Sequence, residues 1–155
     1  MTPEKLVRAY AREATPLHGR GNGGPAQLPS GALILALDVE ARARAAVETY
    51  RALPTPARNV YGQRVMLGLL ATTLLKKKLP LVQKDLEAMT EGAARAASPA
   101  QGPCDYDLAL LKTLERAVWL SPKTKAALVK LAERRGDGYA VDRRVAATCR
   151  SLAER

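Results

Sequence analysis

The stretch from Tyr61 to Met89 constrains the fold more than any other part of the chain. Residues Val65 to Leu75 carry no charge, and Lys76, Lys77, Lys78 and then Leu79-Pro80 follow them. A helix that is apolar nearly all round must be covered by neighbours on several sides. Gly62 and Gly68 would let a neighbouring backbone approach closely. The three lysines suit the negative end of a helix dipole. Proline cannot continue a helix but readily opens one, and Leu81, Val82, Leu86 and Met89 give the following segment an apolar face. The pattern predicts an αα-hairpin, the unit from which bundles and α-solenoids are built.

Composition agrees. The chain has no Phe and one Trp, Trp119, and it is rich in Ala and Leu. Strands favour β-branched and aromatic residues, whereas small and straight-chain residues lose little freedom in helices. At 155 residues the chain is expected to form a single all-α domain over 1–155. A domain of this size buries roughly 70% of its unfolded surface without a metal or disulfide. The expected architecture is six or seven helices in antiparallel pairs, as a helical bundle or short α-solenoid.

Punctuation along the chain fits this plan. Thr2-Pro3-Glu4 has the N-cap, first-turn proline and first-turn acid of a helix start. Leu6, Val7, Tyr10 and Ala14 then form its apolar stripe. Residues 15–31 mix Gly19, Gly21, Gly23 and Gly24 with Pro16, Pro25 and Pro29, which predicts a flexible linker. Ala32 to Leu37 is an apolar run whose Ala and Leu content favours helix over strand. Asp38 caps the next helix, with Val39, Ala43, Ala46, Val47 and Tyr50 on one face. The long helix runs from about Ala57 to Lys78, and Pro80 opens a return helix that fades through Gly92 into Ala93 to Ala97. A second short linker covers 98–104. Asp105 or Asp107 is expected to cap a helix with the core stripe Leu110, Leu111, Leu114, Ala117 and Val118. Ser121-Pro122 starts another, with Ala127, Leu128 and Leu131 inward. The last helix places Val141, Val145, Cys149 and Leu152 on one face, with Arg143 and Arg150 opposite.

Leu79-Pro80 and Leu120-Ser121-Pro122 open similar helices 41 positions apart, near the period of HEAT-type repeats. The corner Leu74-Leu75-Lys76-Lys77-Lys78-Leu79-Pro80 followed by Lys84-Asp85-Leu86-Glu87-Ala88-Met89 resembles the corners of HEAT-like α-solenoid proteins. The resemblance covers residues 57–97 and 105–153. It implies a scaffold that binds along a helical surface, and it transfers no functional residue.

The chemistry-bearing residues are sparse. His18 is the only histidine. The glycines after it lack the preceding strand, the following helix start and the Lys-Ser or Lys-Thr of a phosphate loop. Cys104-Asp105-Tyr106-Asp107 lacks the second Cys or His a metal site needs, and helix capping accounts for its acids. Cys104 and Cys149 do not make a disulfide framework, and Cys149 lies on an apolar stripe. No catalytic, cofactor or metal residue is assigned, and no cofactor is expected. The N-terminus does not read as a signal peptide, and the longest apolar run is shorter than a membrane span. A cytoplasmic setting without membrane attachment is the default.

Charge is the remaining clue. The chain has 25 Lys and Arg against 15 Asp and Glu, a net +10. From Lys112 onward eleven basic residues face five acidic ones. Lys76, Lys77, Lys78, Arg134, Arg135, Arg143, Arg144 and Arg150 cluster at helix ends and form the candidate polyanion-binding set. Solvation and dipole complementarity explain several of them without a ligand. The leading functional expectation is a non-catalytic helical scaffold or protein-interaction module, of a size to be one piece of a larger α-solenoid, with a protein partner. A basic protein gripping nucleic-acid phosphates is the alternative, although dispersed Tyr and absent Phe disfavour base stacking. An enzyme without a recognisable motif ranks third.

Overall fold

The computed structural model describes residues 1–17, 25–55, 61–77, 80–97, 105–135 and 140–155. Among them the chain is all-helical, with eight α-helices and no strand. They are α1 (Pro3–Ala14), α2 (Pro29–Leu35), α3 (Val39–Arg51), α4 (Tyr61–Lys77), α5 (Gln83–Ala96), α6 (Asp105–Glu115), α7 (Pro122–Arg135) and α8 (Ala140–Ala153). His18, the glycines at 19–24, Lys78, Leu79, Cys104 and the linker 98–104 lie outside the described residues.

Several starts are as the sequence indicates. Lys5 N donates to Thr2 Oγ1 (3.3 Å) and Ala41 N donates to Asp38 Oδ1 (2.9 Å). Thr124 N donates to Ser121 Oγ (3.2 Å), so Ser121-Pro122 does open α7. Each side-chain oxygen satisfies an amide that has no partner within its helix.

Other boundaries differ from expectation. The return helix starts at Gln83 rather than Pro80, with Asp85 accepting from the N–H of Val82 (3.3 Å). Its other end is as the sequence indicates, past Gly92 at Ala96. α6 stops at Glu115 because its end tightens into shorter-range bonds, Arg116 N to Thr113 O and Ala117 N to Leu114 O. The stripe through Leu110, Leu111 and Leu114 is buried, but Val118 falls beyond it and is fully exposed. Both ends of 15–31 are structured: 3-10 turns at Thr15–Leu17 and Pro25–Gln27 flank it, and 29–31 belong to α2. There Ser30 N donates to Glu13 (3.0 Å), and Ser30 Oγ bonds the same carboxylate.

Close backbone approach occurs at Gly31 and Gly92 and not at Gly68. A Cβ on Gly31 would stand 2.1 Å from the Pro25 carbonyl oxygen, and one on Gly92 would stand 1.9 Å from that of Tyr50. Around Gly68 a Cβ would meet nothing within 4 Å. Gly68 lies beside exposed Leu69 and Thr72, so α4 keeps one open face. Its other sides pack on α1, α3 and α6.

The helices form two rows. α1, α3, α5 and α7 pack in sequence in one row, and α4, α6 and α8 in the other. Across the rows α3 packs on α4, α5 on α6 and α7 on α8. The core lies between the rows and includes Tyr50, Met66, Leu67, Leu70, Met89, Leu110, Leu114, Leu128 and Leu131.

Arginines at helix ends fix the direction of each row. Arg95 of α5 donates to the carbonyls of Leu53 (2.7 Å) and Arg51 (3.0 Å) at the end of α3. Arg134 of α7 donates to those of Ala94 (2.7 Å) and Arg95 (2.9 Å) at the end of α5. In the other row Arg116 reaches Leu75 O (3.0 Å) at the end of α4, and Arg155 reaches Ala117 O (3.0 Å) just past α6. Like ends therefore sit side by side within a row. Arg95 and Arg134 stand 39 residues apart, as do Arg116 and Arg155. Each guanidinium satisfies carbonyls that a helix leaves unpaired at its C-terminus.

Candidate interaction surface

This arrangement divides the candidate basic set between two edges. α5 and α7 begin at the first edge, where α4 and α6 end. They finish at the second edge, about 21 Å away along a 14-residue helix. Lys76 is exposed at the first edge. Arg134 lies at the second, where α8 starts with exposed Arg143 and Arg144. Arg150 is exposed farther along α8. The side chain of Lys77 and all of Lys78 lie outside the described residues. The set thus does not gather into one patch.

Arg135 leaves the surface altogether. Its side chain is 1% exposed and Nη2 lies 3.3 Å from Oδ2 of Asp107, itself fully buried. Asp107 is therefore an interior ion-pair partner and not a helix cap. Both residues extend apolar stripes, Arg135 after Thr124, Leu128 and Leu131, and Asp107 before Leu110, Leu111 and Leu114. A charge at a stripe position of one helix, matched by the opposite charge on another, was the available signal.

Around this pair lies a sealed polar cluster. Tyr50 Oη donates to the carbonyl of Tyr106, and the two rings meet edge-on with centroids 6.2 Å apart. Burial, then the Asp107 charge, pushes the Tyr50 hydroxyl well above its ordinary range. The same two causes push the Cys149 thiol up to about 12. A thiol held protonated is a poor nucleophile and a poor metal ligand. Among the described residues no group of three or more His, Cys, Asp and Glu is placed to hold a metal ion. No described helix is long and apolar enough to cross a membrane.

Several of the arginines are engaged by other parts of the chain. Arg44 and Arg51 both reach Asp85, at 3.0 and 3.5 Å. Arg95, Arg116, Arg134 and Arg155 serve carbonyls, as described. Cations also gather around an open groove of about 410 Å³ between α5 and α7. Arg95, Lys123, Lys130 and Arg134 line it, with one acid, Glu91. Ala94, Ala126 and Ala127 make its floor. Lys123, Ala126, Ala127, Lys130 and Arg134 recur at helical spacing, so one face of α7 builds the long wall. Arg95 and Arg134 use two N–H groups each on carbonyls and hold their charge at the second-edge end. Sequence spacing alone does not reveal this groove, because its walls come from helices about 40 residues apart.

Compared with protein-family models, with characterised proteins and with solved structures, the chain matches none.

Proposed function

We infer that this chain is a non-catalytic helical interaction module that receives an acidic segment of a protein partner in the groove between α5 and α7. The observation that supports this reading is the groove's lining, four cations against a single carboxylate. The cations stand on two parallel helices of one row, which are tied at both ends. Gln83 bonds the segment before α7, and Arg134 bonds the last turn of α5. A wall held this firmly loses little freedom when a ligand docks. Alanines between the cations leave room for an extended backbone, and the lysines are free to turn toward successive carboxylates. The HEAT-like resemblance points the same way.

Binding of fluorescein-labelled octaglutamate, followed by anisotropy at about 0.15 M salt, where charges are screened beyond ~8 Å, tests the reading. The double variant Lys123→Glu/Lys130→Glu should weaken binding at least about tenfold, a cost of ~1.4 kcal/mol. Equal binding by the variant and the parent protein would refute it.

A second reading, nucleic-acid backbone binding, draws support from exposed Arg143, Arg144 and Arg150 on α8. It predicts steeply salt-dependent binding of a DNA duplex that Arg143→Glu/Arg150→Glu abolishes and the groove variant does not.

A further inference from the structure

Beside the groove, the first edge carries apolar side chains in an unusual position. Val118 is fully exposed, Val82 is 62% exposed and Trp119, the only tryptophan, is 58% exposed. Val82 immediately precedes α5, while Val118 and Trp119 lie just before α7. Gln83 draws the two segments together. Its side-chain amide donates to Trp119 O (2.8 Å), and its oxygen accepts from Ser121 N (3.2 Å). On the other side Arg155 holds the carbonyl of Ala117 (3.0 Å). The backbone around Trp119 is therefore pinned, and its apolar side chains are left to solvent.

A half-exposed Trp on a pinned backbone, with exposed valines at the same edge, has the character of a binding hot spot, since little backbone entropy remains to be lost. The segments that carry the patch lead directly into the two helices of the groove. Lys123, its first wall residue, follows Trp119 by four positions, and exposed Lys84 follows Val82 by two. Apolar surface flanked by cations matches a ligand with the reverse pattern.

We propose that the Val82–Val118–Trp119 patch is an apolar anchor site for the groove's partner, an acidic protein segment carrying large apolar side chains at one end. This rests on the reading of the groove as a site for acidic segments. The carboxylates lie along Lys123, Lys130 and Arg95, while the apolar end covers Trp119. A purely charged chain leaves the patch bare and is held by screened charges alone. The apolar end adds a contact that salt does not weaken, which gives selectivity among acidic segments.

Octaglutamate and two extended versions, with a leucine pair added at the N- or the C-terminal end, test the proposal on the full chain. Anisotropy measures affinity, and Trp119 emission reports on the patch directly. One extended peptide should bind about tenfold tighter than octaglutamate, shift Trp119 emission to the blue, and lose its advantage in Trp119→Ala. Trp119→Phe should restore part of it. The loop is pinned through backbone groups, so Trp119→Ala should keep its circular dichroism and its octaglutamate affinity. Equal affinity for all three peptides, or a leucine advantage that survives Trp119→Ala, overturns the anchor while leaving the groove standing. Unchanged binding of every peptide by Lys123→Glu/Lys130→Glu overturns the groove as well.

Discussion

The two edges of the array differ in what they bury and what they expose. At the second edge, where α3, α5 and α7 end, three arginines find partners within the chain, while Arg143 and Arg144 stay exposed. Arg95 and Arg134 close the carbonyls of neighbouring helices, and Arg135 sinks to Asp107. At the first edge arginine bonds pin the backbone, while Lys76, Lys84, Lys123, Val82, Val118 and Trp119 face solvent. The second edge buries an ion pair, and the first leaves large apolar side chains in solvent. Net charge does not distinguish them. What distinguishes them is the charge buried with its partner at Arg135 and the apolar exposure at Trp119.

The largest test of this contrast is Arg135→Met. It strands the Asp107 carboxylate in the interior, and breaking one side of a buried pair costs about 3–5 kcal/mol. Urea denaturation should register that loss in full, while Arg143→Met on the exposed start of α8 should stay within about 0.5 kcal/mol. If both variants unfold at the parent's midpoint, the second edge is not cohesive. In the central helix, Leu70→Ala should cost about 2–5 kcal/mol as a cavity in a fully buried position.

Two glycines sharpen the comparison at the level of packing. Gly92→Ala drives a methyl against the Tyr50 carbonyl and should cost about 1–3 kcal/mol through separation of α3 and α5. Gly68→Ala meets open space and should stabilise by about 0.5–1 kcal/mol through helix propensity. Thermal midpoints moving the same way for both would contradict the packing described here.

Alkaline pH should loosen the sealed cluster. The folded state favours the neutral Cys149 thiol, so this contribution is intact below the ordinary thiol value of 9.0. It falls as pH rises toward about 12, where the unfolded chain's thiol is ionised and the folded one resists ionisation. Tyr50 acts in the same direction above its ordinary value of 10.0. Denaturation midpoints of Cys149→Ala should decline less steeply over that range than those of the parent protein. The smallest effect belongs to the first edge, where Trp119→Ala should shift stability, read from the urea midpoint, by no more than about 0.5 kcal/mol.

The helices and most of their core stripes were legible because they are local properties. Thr2, Asp38 and Ser121 announce helix starts within three residues, and Leu110, Leu111 and Leu114 share one face by spacing alone. The ties between helices were not legible in that way. Arg95 and Arg134 look like ordinary last-turn cations until the end of the preceding row helix is set beside them. Arg134 and Arg135 are neighbours in sequence, yet a rotation of about 100° sends one to the surface and the other to the core. Val118 shows the converse failure. Its stripe position had meaning only while the helix continued, and α6 ends three residues earlier.

The arginine ties also impose an order of completion during synthesis. The last turn of α3 gains its closing bonds from Arg95, and that of α5 gains them from Arg134. α4 waits in the same way for Arg116. As the chain leaves the ribosome, α3, α4 and α5 thus emerge with open carbonyls that are sealed only when the next member of the row has been made and docked. For these helices translation itself supplies the missing bonds in turn.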